Sequence, residues 1–324
     1  MKLFKNIKNW LENQEHLFYL FLFILIVPNM VLCFTEPLPF MAKVANVLLP
    51  FGCYYLLMTL SRNCGKMLWI LFLFLFFGAF QIVLLYLFGQ SIIAVDMFLN
   101  LVTTNSSEAL ELLDNLTPAI IAVIILYVPA LILGTISIIR KRKLTVEFIR
   151  RERKRAFLVF GISLLSLVGA YVQDSGYELK SDLYPLNVCY NVGLAFQRTA
   201  LTQDYHRTSK DFTFHARPTH PEEKREVYVM VVGETSRALN WQLYGYERET
   251  TPLLSRQTGL IAFPKVLTES NTTHKSVPML MSDATACNYD SIYHQKGIIT
   301  AFKEAGFRTA FFSNQRYNHS FIDF

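Results

Sequence analysis

The chain has 324 residues, of which 52% are hydrophobic and 17% charged, and its mean hydropathy is +0.29. Soluble globular domains carry about 25% charged residues, so this composition excludes a disordered chain, a nucleic-acid-binding arm and an ordinary cytosolic enzyme. Residues 1–173 carry the whole net charge of +6, whereas residues 174–324 are neutral. High hydropathy combined with an uneven charge distribution indicates a membrane protein.

Five apolar runs in residues 1–173 predict a domain of five transmembrane helices. A helix crosses a bilayer with about 20 apolar residues, within a range of about 17–25. The runs that fit are Leu17–Phe34, Val44–Leu60, Met67–Phe88, Thr117–Ile139 and Ala156–Val172. Buried helices of a soluble protein are the alternative, but the third run has a single strongly polar residue, Gln81.

The charges of the connections predict the orientation of these helices, because cytoplasmic loops carry an excess of Lys and Arg. The N-terminus and the connection 61–66 are basic, and the connection 140–155 has nine basic residues. The connection 89–116 has no basic residue and four acidic ones. We therefore expect the N-terminus inside the cell and residues 174–324 outside. A nucleic-acid patch is the alternative for 140–155, but an anchor against anionic lipid is favoured.

The connection 89–116 also predicts an amphipathic helix at about 91–113. Asn100, Thr104 and Glu108 recur at every fourth position, so they share one helical face. Two interpretations remain open for this face. It is either a solvated surface or a site for the amine of a lipid headgroup.

The outer half divides at a change in composition. Residues 174–221 predict an irregular, aromatic-rich linker along the membrane surface, and residues 222–324 predict an α/β domain. The predicted strands are Glu226–Val232, Ile261–Val266 and Thr309–Ser313, with a helix at Gly297–Ala305. This order of elements is typical of a largely parallel sheet.

Two polar clusters follow the first two predicted strands. Glu234 comes directly after the first, and Thr272 and Thr273 come after the second and before a predicted helix. Ligands of α/β sheets bind beyond the carboxyl ends of strands, and helix N-termini attract phosphate. A carboxylate and a hydroxyl could together bind zinc, which would activate the hydroxyl. A helix cap and a surface carboxylate are the simpler alternative.

Three motifs resemble one enzyme family, the lipid A phosphoethanolamine transferases of the alkaline phosphatase/sulfatase superfamily. The first motif is Val231–Arg237 (VVGETSR), followed by Gly245–Pro252 (GYERETTP). The second is Thr273–Pro278 (THKSVP), and the third is the spacing of Asn100, Thr104 and Glu108. The resemblance covers nearly the whole chain, including the five spans and the acidic connection.

The resemblance implies a role for each matched residue. Glu234 would be a zinc ligand, and Thr273 would be both zinc ligand and catalytic nucleophile. Asn100, Thr104 and Glu108 would contact the headgroup of phosphatidylethanolamine. The reaction would transfer phosphoethanolamine to lipid A or a core sugar of lipopolysaccharide through a phospho-threonine intermediate, which lowers polymyxin binding. The enzyme would be a multi-pass protein of the bacterial inner membrane with a periplasmic catalytic domain and no nucleic-acid partner.

The chain departs from the family pattern in two respects. Glu269 and Met279 stand where many relatives have cysteines flanking the nucleophile. The remaining zinc ligands of the family are expected beyond Phe324, so we expect an incomplete α/β domain and no activity of the chain alone. A related phosphoglycerol transferase, a sulfatase-like hydrolase or an inactive remnant remain the alternatives.

Overall fold

The computed structural model describes residues 10–89, 92–95, 97–98, 106–219, 225–233, 236–270 and 272–312, without the side chains of 88, 106–115 and 274. The chain divides into two compact units, Met1–Phe196 and Gln197–Phe324.

The first unit is helical. Its long helices are α1 (Gln14–Thr35), α2 (Phe40–Met58), α3 (Cys64–Ile70), α4 (Phe72–Phe88), α5 (Ser106–Ile139) and α6 (Val146–Gln173). Within the described residues, α1, α2, α6 and the part of α5 from Leu116 are long and apolar enough to cross a membrane. The pair α3 and α4 makes a fifth candidate span if it is counted as one broken helix. These helices fit a membrane protein and match the five apolar runs.

The third predicted span is bent, which the sequence did not indicate. Helices α3 and α4 meet at an angle of 63° around Leu71. The start of α3 is fixed by Asn63, whose Oδ1 accepts the N–H of Lys66 at 2.7 Å. The Asn63 amide also donates to the carbonyls of Ser137 and Arg142 at 3.1 and 2.8 Å. These bonds tie the start of α3 to the end of α5.

Close backbone contact between α3 and α5 reinforces this arrangement. A Cβ atom added to Gly65 would lie only 2.1 Å from the carbonyl oxygen of Gly134. Small residues allow the backbones of two helices in a bilayer to come this close together. Elsewhere α2 packs along α6, and α1 packs against α2 and α4. The outward faces of α5 and α6 are apolar and exposed, with Ile125 at 68% and Leu165 at 72%.

Buried polar side chains at one end of this unit bond to the segment that follows α6. The Asn29 amide donates to the carbonyls of Asn46 and Tyr184 at 2.8 and 2.7 Å. The Asn46 amide donates to the carbonyl of Asp182 at 2.6 Å, and its Oδ1 accepts the hydroxyl of Tyr177 at 2.5 Å. The helical core therefore fixes the course of residues 177–184.

The expectation of an irregular linker over 174–221 is wrong for much of its length. The structure has α7 (Leu179–Asp182), α8 (Leu186–Gln203) and α9 (Tyr205–Thr208) there. Helix α8 is stabilised where it begins, because Val188 is fully buried in a cluster with Leu32 and Leu84. Asn187 is also buried and donates to a backbone carbonyl. Of the amphipathic helix predicted at 91–113, residues 92–94 are not helical, residues 95, 97 and 98 are helical, and residues 106–113 belong to α5. Residues 91, 96 and 99–105 lie outside the described chain, so this helix stays a prediction.

The second unit contains short helices in its described residues. They are the 3₁₀ turns η1 (Ala238–Asn240) and η2 (Gln242–Tyr244), α10 (Pro252–Ser255), α11 (Thr273–Met281), the 3₁₀ segment η3 (Ala286–Tyr293) and α12 (Ile298–Glu304). The helix predicted at Gly297–Ala305 is confirmed, because Gly297 is the N-cap of α12. Thr251 is the N-cap of α10.

The predicted strands are absent from the part of the chain that the structure describes. Residues 226–232, 261–266 and 309–312 have no strand assignment there. Val229 and Val231 are 79% and 85% exposed, and Leu267 is 95% exposed. A strand forms only when its N–H and C=O groups pair with a neighbouring strand. The α/β assignment of this domain is therefore not confirmed.

The contact between α3 and α5 can be tested with two glycine substitutions. Gly65→Ala should lower the free energy of unfolding by about 1–3 kcal/mol or more, because the added methyl group overlaps the Gly134 carbonyl. Gly161→Ala is the control, because no atom lies within 4 Å of its added Cβ. Thermal unfolding in detergent measures both. Equal stability of the two variants would contradict the crossing.

Candidate active site

Thr273 occupies the first position of α11. Thr272 is the N-cap residue with extended backbone angles, and its carbonyl accepts the N–H groups of Lys275 and Ser276 at 3.1 and 2.9 Å. Thr273 is half-buried. The sequence predicted a helix after Thr272 and Thr273, and the structure begins this helix one residue earlier, at Thr273. The N–H groups of a first helical turn and the helix dipole favour an anion at this end.

A short polar turn leads into this helix. The hydroxyls of Ser270 and Thr272 lie 3.1 Å apart, and the Thr272 N–H donates to the Ser270 hydroxyl at 3.3 Å. The Thr268 hydroxyl donates to the Ser270 carbonyl at 2.8 Å. The Thr272 side chain makes no capping bond to the helix. The Thr272 hydroxyl is thus bonded within the turn before α11.

Glu269 and Met279 stand where the family resemblance implies cysteines. Both make non-covalent contacts here. The Glu269 carboxylate accepts the backbone N–H of Ala286, at the start of η3. Met279 packs against the buried cluster of Tyr205, Ala284, Ile292 and Tyr293. Burial raises the pKa of Tyr293 to about 12, so its phenol is neutral at physiological pH. Glu269 and Met279 therefore join the segment around α11 to η3.

Helix α9 holds η3 from a second side. The Tyr205 hydroxyl donates to the Gln295 carbonyl at 3.1 Å, and the Thr208 hydroxyl donates to the Tyr293 carbonyl. Helices α9, α11 and η3 thus share one small core. Sequence reasoning missed this core, because its contacts join residues about 85 positions apart.

The other residues predicted for the site lie partly beyond the described chain. Glu234, Asn100 and Thr104 are outside the described residues, and Glu108 is placed on α5 without its side chain. Their proximity to Thr273 stays a prediction. Among the described residues, no group of three His, Cys, Asp or Glu side chains could hold a metal ion.

The Gly245–Pro252 motif forms a compact turn through its own hydroxyl groups. The Thr250 hydroxyl accepts the N–H of Gln242 at 3.0 Å and donates to the carbonyl of Asn240 at 2.6 Å. The Thr251 hydroxyl accepts the N–H of Leu243 at 3.1 Å. Gly245 has φ of +96°, a conformation that favours glycine. These threonines therefore shape the turn that follows Glu234 along the chain.

A second contact that sequence reasoning missed lies in the first unit. The Ile93 N–H donates to Oε1 of Gln81 at 3.0 Å. The Ile93 carbonyl accepts the side-chain amides of Asn187 and Asn191 at 3.1 and 2.8 Å. Both backbone groups of Ile93 are thus held by side chains, just before the segment that carries the predicted headgroup residues. A lone Gln in an apolar span was the available signal.

Comparison with known families assigns the C-terminal segment. Residues 226–324 match the sulfatase family. The chain therefore carries a sulfatase-family domain. This match includes the GETSR motif and the THKSVP segment that begins α11. No solved structure matches the chain significantly.

Curated relatives include enzymes with a stated activity. Phosphoethanolamine transferase EptA of Escherichia coli (strain K12) is 37% identical over 95 residues, which cover 28% of this chain and 17% of EptA. Phosphatidylethanolamine transferase Mcr-1 of Escherichia coli is 31% identical over 137 residues, which cover 40% of this chain and 24% of Mcr-1. Phosphoethanolamine transferase CptA of Salmonella typhimurium is 30% identical over 101 residues, which cover 30% and 18%. The matched part of the chain spans less than a quarter of each of these relatives.

The threonine turn can be tested by hydrogen exchange. Thr250→Val removes the hydroxyl that binds Gln242 and Asn240, so the Gln242 amide should exchange roughly tenfold faster, since one hydrogen bond contributes about 0.5–1.5 kcal/mol. Thr250→Ser keeps the hydroxyl and should preserve the protection. If the Gln242 amide exchanges at the same rate in the valine and serine variants, the Thr250 hydroxyl does not hold the turn.

Proposed function

We propose that this chain is part of a membrane enzyme that transfers phosphoethanolamine from phosphatidylethanolamine to lipid A or a core sugar of lipopolysaccharide. The observation that carries the proposal is the position of Thr273 at the first residue of α11, within a sulfatase-family segment that is similar to phosphoethanolamine transferases. The candidate membrane spans support a lipid substrate. The location we propose is the bacterial inner membrane, with the second unit in the periplasm.

The proposed reaction has two steps, each a displacement at phosphorus. The Thr273 oxygen attacks the phosphorus of the donor lipid, and the bond to diacylglycerol breaks. Diacylglycerol leaves with the proton of the threonine hydroxyl, and phosphoethanolamine remains on Thr273. An acceptor hydroxyl or phosphate oxygen then attacks the same phosphorus, and the threonine oxygen is released and reprotonated.

The first turn of α11 suits this chemistry. Its backbone N–H groups and dipole stabilise negative charge on the phosphoryl oxygens as the bond forms. The Ser270–Thr272 pair holds the preceding turn, and Glu269 and Met279 hold the helix against η3. The nucleophile therefore sits on a supported element.

Zinc is the cofactor that we propose, with Glu234 and Thr273 among its ligands. Bound zinc would lower the pKa of the threonine hydroxyl and polarise a phosphoryl oxygen. A catalytic zinc takes three protein ligands as a rule, so these two residues do not complete the set. No step above is assigned to the metal for that reason.

The role of Thr273 is tested in the intact protein, expressed from its native gene and reconstituted in lipid. Thr273→Ala should lower the transfer rate by at least about 10⁴-fold, because it removes the nucleophile. Thr273→Ser should retain part of the rate and form an adduct in which phosphoethanolamine is bonded to the serine oxygen. The measurement follows headgroup-labelled phosphatidylethanolamine into lipid products, with mass spectrometry of the residue 273 peptide.

The matched control is the neighbouring hydroxyl. Thr272→Ala loses the bond to Ser270 but keeps the proposed nucleophile, so transfer should persist. Activity that survives Thr273→Ala and disappears in Thr272→Ala would reverse the assignment. Labelled ethanolamine phosphate released to water would indicate a hydrolase, and transfer from phosphatidylglycerol would indicate a phosphoglycerol transferase.

We also propose that Asn100, Thr104 and Glu108 bind the ethanolamine headgroup of the donor. Glu108→Gln should raise KM for phosphatidylethanolamine roughly tenfold and leave kcat nearly unchanged, because a hydrogen bond between charged groups contributes about 1.5–3 kcal/mol. Asp114→Asn is the control, since it removes an equal charge from α5 at a position rotated by about 120°. Equal KM values in the two variants would contradict the assignment.

A further inference from the structure

A buried carboxylate lies near the start of α6, where the basic connection meets the apolar run. The Glu152 side chain is completely buried, and its Oε2 accepts the hydroxyl of Tyr55 at 2.5 Å. Glu152 thereby joins α6 to α2. A buried charge in a helix of this kind is costly and calls for a specific role.

The other oxygen of Glu152 holds two arginines. Its Oε1 accepts Nε of Arg151 at 2.8 Å and Nη1 of Arg155 at 2.9 Å. The two arginine side chains are 54% and 57% exposed. The Arg151 guanidinium also lies 5.2 Å above the ring of Phe148. Each guanidinium donates one N–H to Glu152, so most of its five donors are not used by the carboxylate.

This geometry prepares the two guanidinium groups for a shared anion. Because both bind the same oxygen, the two guanidinium groups lie close together. Their rotamers are already restricted, so less conformational entropy is lost when a ligand binds. Planar guanidinium groups fit the oxygens of a phosphate in a bidentate manner.

The site lies at the depth of lipid phosphates. Arg155 directly precedes the apolar run Ala156–Val172, so the arginines stand at the edge of the hydrocarbon region. Arg150 and Lys154 are also exposed on this part of α6 and add positive charge. The Glu152 carboxylate is already occupied by its donors and buried, so it offers nothing to a headgroup ammonium.

We propose that Arg151 and Arg155, braced by Glu152, form a binding site for the phosphodiester of an anionic phospholipid such as phosphatidylglycerol. The site is independent of the proposed transfer reaction. It favours anionic over zwitterionic lipids, because it presents N–H donors and the carboxylate that braces them, Glu152, is buried. A general attraction of all basic residues to anionic lipid is the competing explanation.

The experiment measures thermal unfolding of the intact protein in nanodiscs of phosphatidylcholine, with and without phosphatidylglycerol. A lipid that binds the folded state raises Tm. The double variant R151Q/R155Q should lose most of the rise that phosphatidylglycerol produces. The matched variant R150Q/K154Q removes the same charge from the same helix and should keep most of the rise. Equal losses, or no loss in either variant, would overturn the site.

The variant Glu152→Gln distinguishes the braced site from a general attraction, because the two explanations predict opposite changes in the Tm rise. It increases the net positive charge by one, so a general attraction predicts a larger Tm rise with phosphatidylglycerol. The braced site predicts a smaller rise, because a neutral amide no longer orients the two arginines. If this variant does not fold in phosphatidylcholine, the two double variants decide. Inorganic phosphate added to phosphatidylcholine nanodiscs should give no rise, and a rise equal to that of the lipid would overturn the lipid assignment.

Discussion

Inside a bilayer a polar side chain has no water to bond, so each one that is buried among apolar helices needs a partner in the protein. Asn29 and Asn46 find partners in backbone carbonyls of residues 182–184, and Gln81 finds one in the N–H of Ile93. These partners lie in the connecting segments, not within the spans. Groups that would otherwise destabilise the bundle therefore determine where its connections run.

The same constraint links the bundle to the proposed chemistry. Ile93 is held by Gln81 and by two asparagines of α8, and it lies seven residues before Asn100. At the basic connection, Glu152 binds one tyrosine and two arginines. Gln81 thus fixes the backbone shortly before the predicted headgroup residues, and Glu152 fixes two arginines that we assign to lipid recognition.

The sequence predicted the spans because length and hydropathy are properties of a local segment. It did not predict the bend around Leu71, because no Pro or Gly lies at that position. The irregular linker was a wrong prediction, because α8 is stabilised by burial of Val188 against distant helices. Features that depend on distant partners escaped the sequence pattern.

The second unit shows the same division between local and distant interactions. Its described helices and turns are held largely by bonds within about ten residues, such as those of Thr250 with Asn240 and Gln242. The start of α11 at Thr273 is likewise local, so the position of the proposed nucleophile could be predicted. Strands need partners from other parts of the chain, and Val229 and Val231 stay exposed without one among the described residues. A metal site has the same requirement, because its ligands come from separate elements. The helical position of the proposed nucleophile was therefore the most predictable part of the candidate site, and a complete set of metal ligands was the least.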